Sequence, residues 1–136
     1  MARRELRERN LSLVIVKDGR IIFTSKLQGI IGLIQAIDCL GEYLYSSSVA
    51  DKVVGRAAAL LLAYSRASEV YATVISESGL IVLNEYNIRV EYDTLVPKIM
   101  NRRGDDLCPF EKISLTARSP EETYKKLKDY IKISGS

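Results

Sequence analysis

The chain has 136 residues, 47% of them apolar and 27% charged, which suits one folded domain with a real core and excludes a disordered or fibrous polymer. Its 20 basic and 17 acidic residues leave a net charge of only +3, so there is no strong nucleic-acid signal of the kind a single-sign surface would give. No stretch approaches the roughly 18 consecutive apolar residues of a membrane helix, and the charged start lacks the apolar run of a signal peptide, so a cytoplasmic protein with no membrane partner is expected.

Residues 1–10 carry Arg3, Arg4, Arg7 and Arg9, interrupted by Glu5 and Glu8. They read as a basic, solvated and frayed amino terminus ahead of a single domain over 11–136. Leu11 to Val16 and Arg20 to Thr24 are β-branched runs joined by Lys17-Asp18-Gly19, and Asp-Gly between such runs predicts a β-hairpin. From Gly29 to Leu44, Ile30, Leu33, Ile34, Ile37, Leu40 and Leu44 fall at helical spacing, with Gly41 the weak point.

Ser46-Ser47-Ser48 precedes the apolar stretch Val49 to Tyr64, and Ser48 with Asp51 has the spacing of a capping box. This predicts a second, buried helix with Asp51 in its cap and Gly55 inside it. Glu69 to Ile75 reads as a central strand, Ser76 to Asn87 as a helix capped by Ser76, and Ile88 to Tyr92 as a further strand. Thr94 to Asn101 is expected as a short helix around Pro97, Asn101 to Pro109 as a loop, and Lys112 to Ala117 as the last strand. Ser119-Pro120-Glu121-Glu122 opens a terminal helix to Ile131. The order β-β-α-α-β-α-β-α-β-α predicts an α/β fold, a three-layer α/β/α sandwich with a mixed five-stranded sheet.

The segment from Ser48 to Ala59, with Asp51-Lys52-Val53-Val54-Gly55 at its heart, together with Val74-Ile75-Ser76 and the Cys108-Pro109 pair, resembles domain of unknown function 1893. That family is placed in the cytidine-deaminase-like superfamily, so the resemblance implies a fold and no agreed activity. Zinc enzymes of the superfamily carry H-x-E at one helix start and P-C-x-x-C at the next. Laid on those motifs, this chain has Val53 for the first ligand and Gly55 for the catalytic Glu. Glu77 stands for the Pro, and Ser78 and Ile81 for the two cysteines.

The chain also has no histidine, and Cys39 and Cys108 lie 69 positions apart, a spacing that builds no tetrahedral Cys/His site. No metal and no cofactor are expected. Asp105, Asp106 and Glu111 form the nearest carboxylate cluster and read as a solvated acidic loop.

Ligands of such folds bind where helix starts converge beyond the strand ends. The candidate rim is therefore Asp51, Lys52, Gly55 and Arg56 from one helix start, Ser76, Glu77 and Ser78 from the next, and Cys108 nearby. Two helix amino termini beside Lys52 and Arg56 suit an anionic small molecule of nucleotide type. Gly55 serves either close helix packing or room for a ligand. Cys108 reads as a half-buried structural thiol or, with a neighbouring cation, a reactive one.

Three functions stay open on these residues. One is a metal-free binding module for a nucleotide-like anion. Another is a structural homo-oligomer with a vestigial pocket, its interface supplied by some of the tyrosines Tyr43, Tyr45, Tyr64 and Tyr71. The third is an enzyme with non-zinc chemistry on Asp51, Lys52, Ser76 and Cys108.

Overall fold

The computed structural model describes residues 1–27 and 30–133. The Asp-Gly turn behaves as its residues require. Asp18 and Gly19 both take positive φ, 51° and 75°, and Lys17 pairs with Arg20 to close a hairpin between β1 (Leu13–Lys17) and β2 (Arg20–Ser25). Helix α2 (Ile31–Leu40) stops at Gly41, after which Gly41–Leu44 tightens into a 3₁₀ turn. The expected start of that helix at Gly29 lies outside the described residues.

The segment expected as the start of a second helix is instead strand β3 (Ser48–Val54), and the helix behind it, α3, runs only from Arg56 to Tyr64. Two neighbours explain the correction. β3 pairs antiparallel with β1, Leu13 opposite Asp51, and parallel with β4 (Glu69–Ser76), Ser48 opposite Glu69. A β-branched run with a partner on each side gains ladder hydrogen bonds along both edges, which outweighs a weak local cap signal. Asp51 is thus a mid-strand residue and no cap. Gly55, extended at φ −98° and ψ −166°, is the hinge between β3 and α3.

Helix α4 (Glu77–Glu85) and strand β5 (Arg89–Val96) follow as expected, and Ser76 caps α4 by accepting the Gly79 N–H at 3.0 Å. The short helix expected over Thr94 to Asn101 is absent, because β5 continues to Val96 beside Ser76. The last strand expected over Lys112 to Ala117 is helix α5 (Pro109–Ser114), with Pro109 in its first turn, where a missing N–H does no harm. Helix α6 (Pro120–Ile133) is the last described element, its Glu122 N–H donated to Ser119 Oγ at 3.1 Å.

The sheet order is β2-β1-β3-β4-β5, mixed and five-stranded. The strand count matches expectation, but β3 takes the place given to Lys112 to Ala117. One face is covered by α2 to α6, with α3 buried through Ala57, Ala58, Ala59, Leu60, Leu61 and Leu62. The other face carries α1 (Ala2–Glu8), whose Ala2 and Leu6 pack on Val14, Val16, Ala50 and Tyr71. Residues 1–10 are therefore no frayed arm.

A seven-residue helix is too short to hold by propensity, and tertiary contacts supply the rest. Burying Leu6 is worth about 1.5–3 kcal/mol. Tyr71 also donates its hydroxyl to Asp93 Oδ2 at 2.5 Å, Arg7 donates to the same oxygen at 2.8 Å, and Arg3 lies over the Tyr71 ring. These hydrogen bonds, the Tyr71 one first, hold the Asp93 carboxyl below its usual range. No described helix is long and apolar enough to cross a membrane.

Candidate functional site

Strand order reverses direction across the β1/β3 pair, the place where open α/β sheets leave a crevice beyond their strand ends. A cleft of about 1160 Å³ opens there. β3 contributes Asp51, Lys52 and Val53, and the end of β2 with the start of α2 contributes Lys26, Leu27 and Ile31. The connection after β5 supplies Ile99 to Arg103, and α5 with its cap supplies Cys108, Pro109 and Phe110. Asn10 and Ser12 complete the wall before β1.

Charge is unevenly placed in this lining. Lys26, Lys52, Arg102 and Arg103 share the lining with one acid, Asp51. Lys52 Nζ donates to Asn10 Oδ1 at 3.1 Å, and the Arg103 guanidinium lies 3.8 Å from Asp105. Three large apolar side chains, Leu27, Val53 and Met100, stay more than 40% exposed within the cleft walls.

Asp51 keeps only 7% of its surface. Desolvation pushes its carboxyl up to about 7, and the backbone N–H groups of Val53 and Lys52 oppose that only in part. A carboxyl poised near neutrality on a cleft wall is an acceptor, or a proton carrier, without a cation to neutralise it.

The expected rim divides here. Asp51, Lys52 and Cys108 come together on the cleft, whereas Gly55, Arg56, Ser76, Glu77 and Ser78 lie outside its lining. Arg56 turns away, donating Nε–H to the Ser114 carbonyl at 3.3 Å, and Ser76 is fully buried as the α4 cap, with Ser78 Oγ 3.2 Å from its hydroxyl.

The helix start expected at Ser48 to Asp51 lies instead at Arg56, and it is occupied. The buried Glu111 carboxylate, arriving from α5, accepts the Arg56 N–H on Oε1 and the Ala57 N–H on Oε2, each at 2.8 Å. A Cβ at position 55 would lie 2.2 Å from Glu111 Oε1. Gly55 thus makes room for a carboxylate, and the carboxylate belongs to this chain. Glu111 is correspondingly no part of an acidic loop with Asp105 and Asp106. Asp106 pairs with Lys112, and Asp105 accepts from Asn101 at 2.9 Å.

Sequence reasoning missed Lys26, Arg102, Arg103 and the apolar walls. Arg102-Arg103-Gly104 in a polar loop was the available signal.

The family model described as Domain of unknown function (DUF1893) matches residues 1–131. A DUF1893 family protein from Thermotoga maritima superposes with a TM-score of 0.85 at 33% identity, over 93% of this chain and 85% of that one. Acinetobacter baumannii RibD, in one of its forms, is similar at a TM-score of 0.50 and 21% identity, over 62% of this chain and 28% of that one. A Thermotoga maritima diaminohydroxyphosphoribosylaminopyrimidine deaminase/5-amino-6-(5-phosphoribosylamino)uracil reductase gives 0.50 at 18% identity, over 78% and 34%. The chain spans about a third or less of these two proteins, and the likeness shows a shared deaminase-like fold. No curated protein matches the chain.

Proposed function

The chain belongs to the DUF1893 family, and from its cleft we propose that it is a cytoplasmic, metal-free binding protein for a nucleotide-like anionic small molecule. The observation that carries this is the lining itself, four cations and apolar walls around one buried carboxylate. Cations at a rim recognise phosphate through charge-assisted hydrogen bonds, and apolar walls bury a ring. The site is narrower than the sequence suggests, centred on Asp51, Lys52 and the 99–103 segment and away from the two helix starts.

A resident zinc has no part in this reading. On the motif resemblance, Val53, Ser78 and Ile81 stand at the zinc-ligand positions and Gly55 at that of the catalytic Glu, and among the described residues no three His, Cys, Asp or Glu side chains gather as a metal-holding group.

Calorimetric titration with nucleoside mono-, di- and triphosphates tests the proposal. Binding should weaken as salt rises, because exposed charges are screened within roughly 8 Å at physiological ionic strength. Lys26→Ala and Arg103→Ala should each weaken it while leaving the melting temperature within a degree or two, since both side chains are exposed. No binding at millimolar concentration overturns the proposal, and about one zinc per chain in untagged protein overturns its metal-free part.

One observation favours a second reading, the homo-oligomer. The edge strand β5 leaves Tyr92 and Leu95 more than 40% exposed and has a free ladder edge. Light scattering that finds a monomer at micromolar concentration removes that reading.

A further inference from the structure

We infer that the cleft selects a ring whose edge presents two adjacent N–H donors, the 2-amino-4-oxopyrimidine edge of a guanine-type base, with Asp51 as the residue that reads it. The inference rests on the nucleotide reading above and specifies its ligand. Asp51 is the one acid in a lining that is otherwise basic, neutral polar and apolar, and it is more than nine-tenths buried. Above about pH 7 the Asp51 carboxyl is ionised; it then only accepts hydrogen bonds, and its two oxygens lie side by side. A ligand edge that meets it well must therefore donate twice, at neighbouring atoms.

Among common nucleobases only guanine does so, through N1–H and the 2-amino group. Adenine and cytosine each set a ring-nitrogen lone pair beside their amino group, which would face a carboxylate oxygen in repulsion. Hypoxanthine and uracil present a single N–H flanked by a carbonyl. The exposed apolar side chains Val53 and Met100 suit the faces of such a ring, and Lys26 and Arg103 suit its phosphate. A buried acceptor left without its donor is what turns one missing amino group into strong rejection.

The test is titration of the whole chain at pH 8, where Asp51 is ionised, with GMP, IMP and AMP, IMP being GMP without the 2-amino group. GMP should bind roughly ten- to hundredfold tighter than IMP, the span of one hydrogen bond to a charged group. AMP should bind no better than IMP. In Asp51→Asn, whose amide offers one donor and one acceptor, the GMP preference should disappear while AMP binding holds or improves.

The comparison among ligands on the unaltered protein stands even if that variant does not fold. A neopterin arm, carrying the same edge on a pyrazine-fused ring, tells a pterin source from a purine one. GMP and IMP within about twofold of each other, or an Asp51→Asn protein that keeps the preference, overturns the inference and leaves the anion site standing. Failure of all the ligands, pterin included, overturns both.

Discussion

Glu111 and Asp51 each keep 7% of their surface exposed, yet the fold treats the two carboxylates in opposite ways. Glu111 meets the amino terminus of α3, where two N–H groups at 2.8 Å and the helix dipole stabilise its charge. Asp51 sits mid-strand on a cleft wall, with only nearby backbone N–H groups to oppose its desolvation. The first carboxylate repays its burial within the chain. The second is costly in the ligand-free protein, and such a residue is the kind a ligand completes.

The sharpest way to break this comparison is to remove Glu111. Glu111→Ala should destabilise the protein by roughly 3 kcal/mol, the worth of two charge-assisted hydrogen bonds at a buried helix start. Urea denaturation measures this, and a loss under about 1 kcal/mol would make Glu111 ornamental. Gly55→Ala should cost nearly as much, because its Cβ displaces the carboxylate from both N–H groups. Combined with Glu111→Ala it should cost little more, since the clash has gone with its partner. Additive losses would mean that Gly55 serves something other than Glu111.

Asp51 should behave in the opposite sense. Its folded pKa of about 7 lies above the ordinary 3.8, so the folded chain holds the proton more tightly than the unfolded chain. The stability this gives is complete below pH 3.8 and is lost as pH rises toward 7, at about 1.4 kcal/mol per unit at the steepest. Asp51→Asn, which cannot ionise, should therefore be more stable than the parent at pH 8 and should lack that slope. Thermal melts between pH 4 and pH 8 decide it. A loss of stability at pH 8 would place Asp51 with Glu111 as a structural carboxylate.

The smallest effect concerns the neighbouring helix start, which is capped locally. Ser76→Ala removes one hydroxyl from the α4 cap and should cost about 1 kcal/mol, well short of Glu111→Ala. Equal losses would erase the distinction between a cap borrowed from a distant helix and one built into the chain.

What the sequence shows well is local. Asp18-Gly19 announces the hairpin, Ser76 and Ser119 announce two helix starts, and the α/β order announces the layered sheet. What it hides depends on partners distant along the chain. Ser48 to Val54 carries a cap-like spacing and a short apolar run, and only the flanking strands β1 and β4 decide that it is a strand. The α1 helix is invisible because Leu6, Arg3 and Arg7 find Tyr71 and Asp93 only after folding.

The candidate site was half legible for the same reason. Asp51, Lys52 and Cys108 fall in one conspicuous motif set, whereas Lys26 and Arg102-Arg103 reach the cleft from loops that say nothing of where they go. The role of Gly55 needed the carboxylate 56 positions away.

That carboxylate also ties the wall of the cleft to the centre of the core. Cys108, Pro109 and Phe110 line the cleft, and the next residue along is Glu111. Were the first turn of α5 to swing outward, the Arg56 and Ala57 amides would lose their acceptor in the same motion. Hydrogen–deuterium exchange at those two amides would therefore report any opening of a pocket they do not line, and slower exchange is how a ligand resting against Phe110 would register inside the protein.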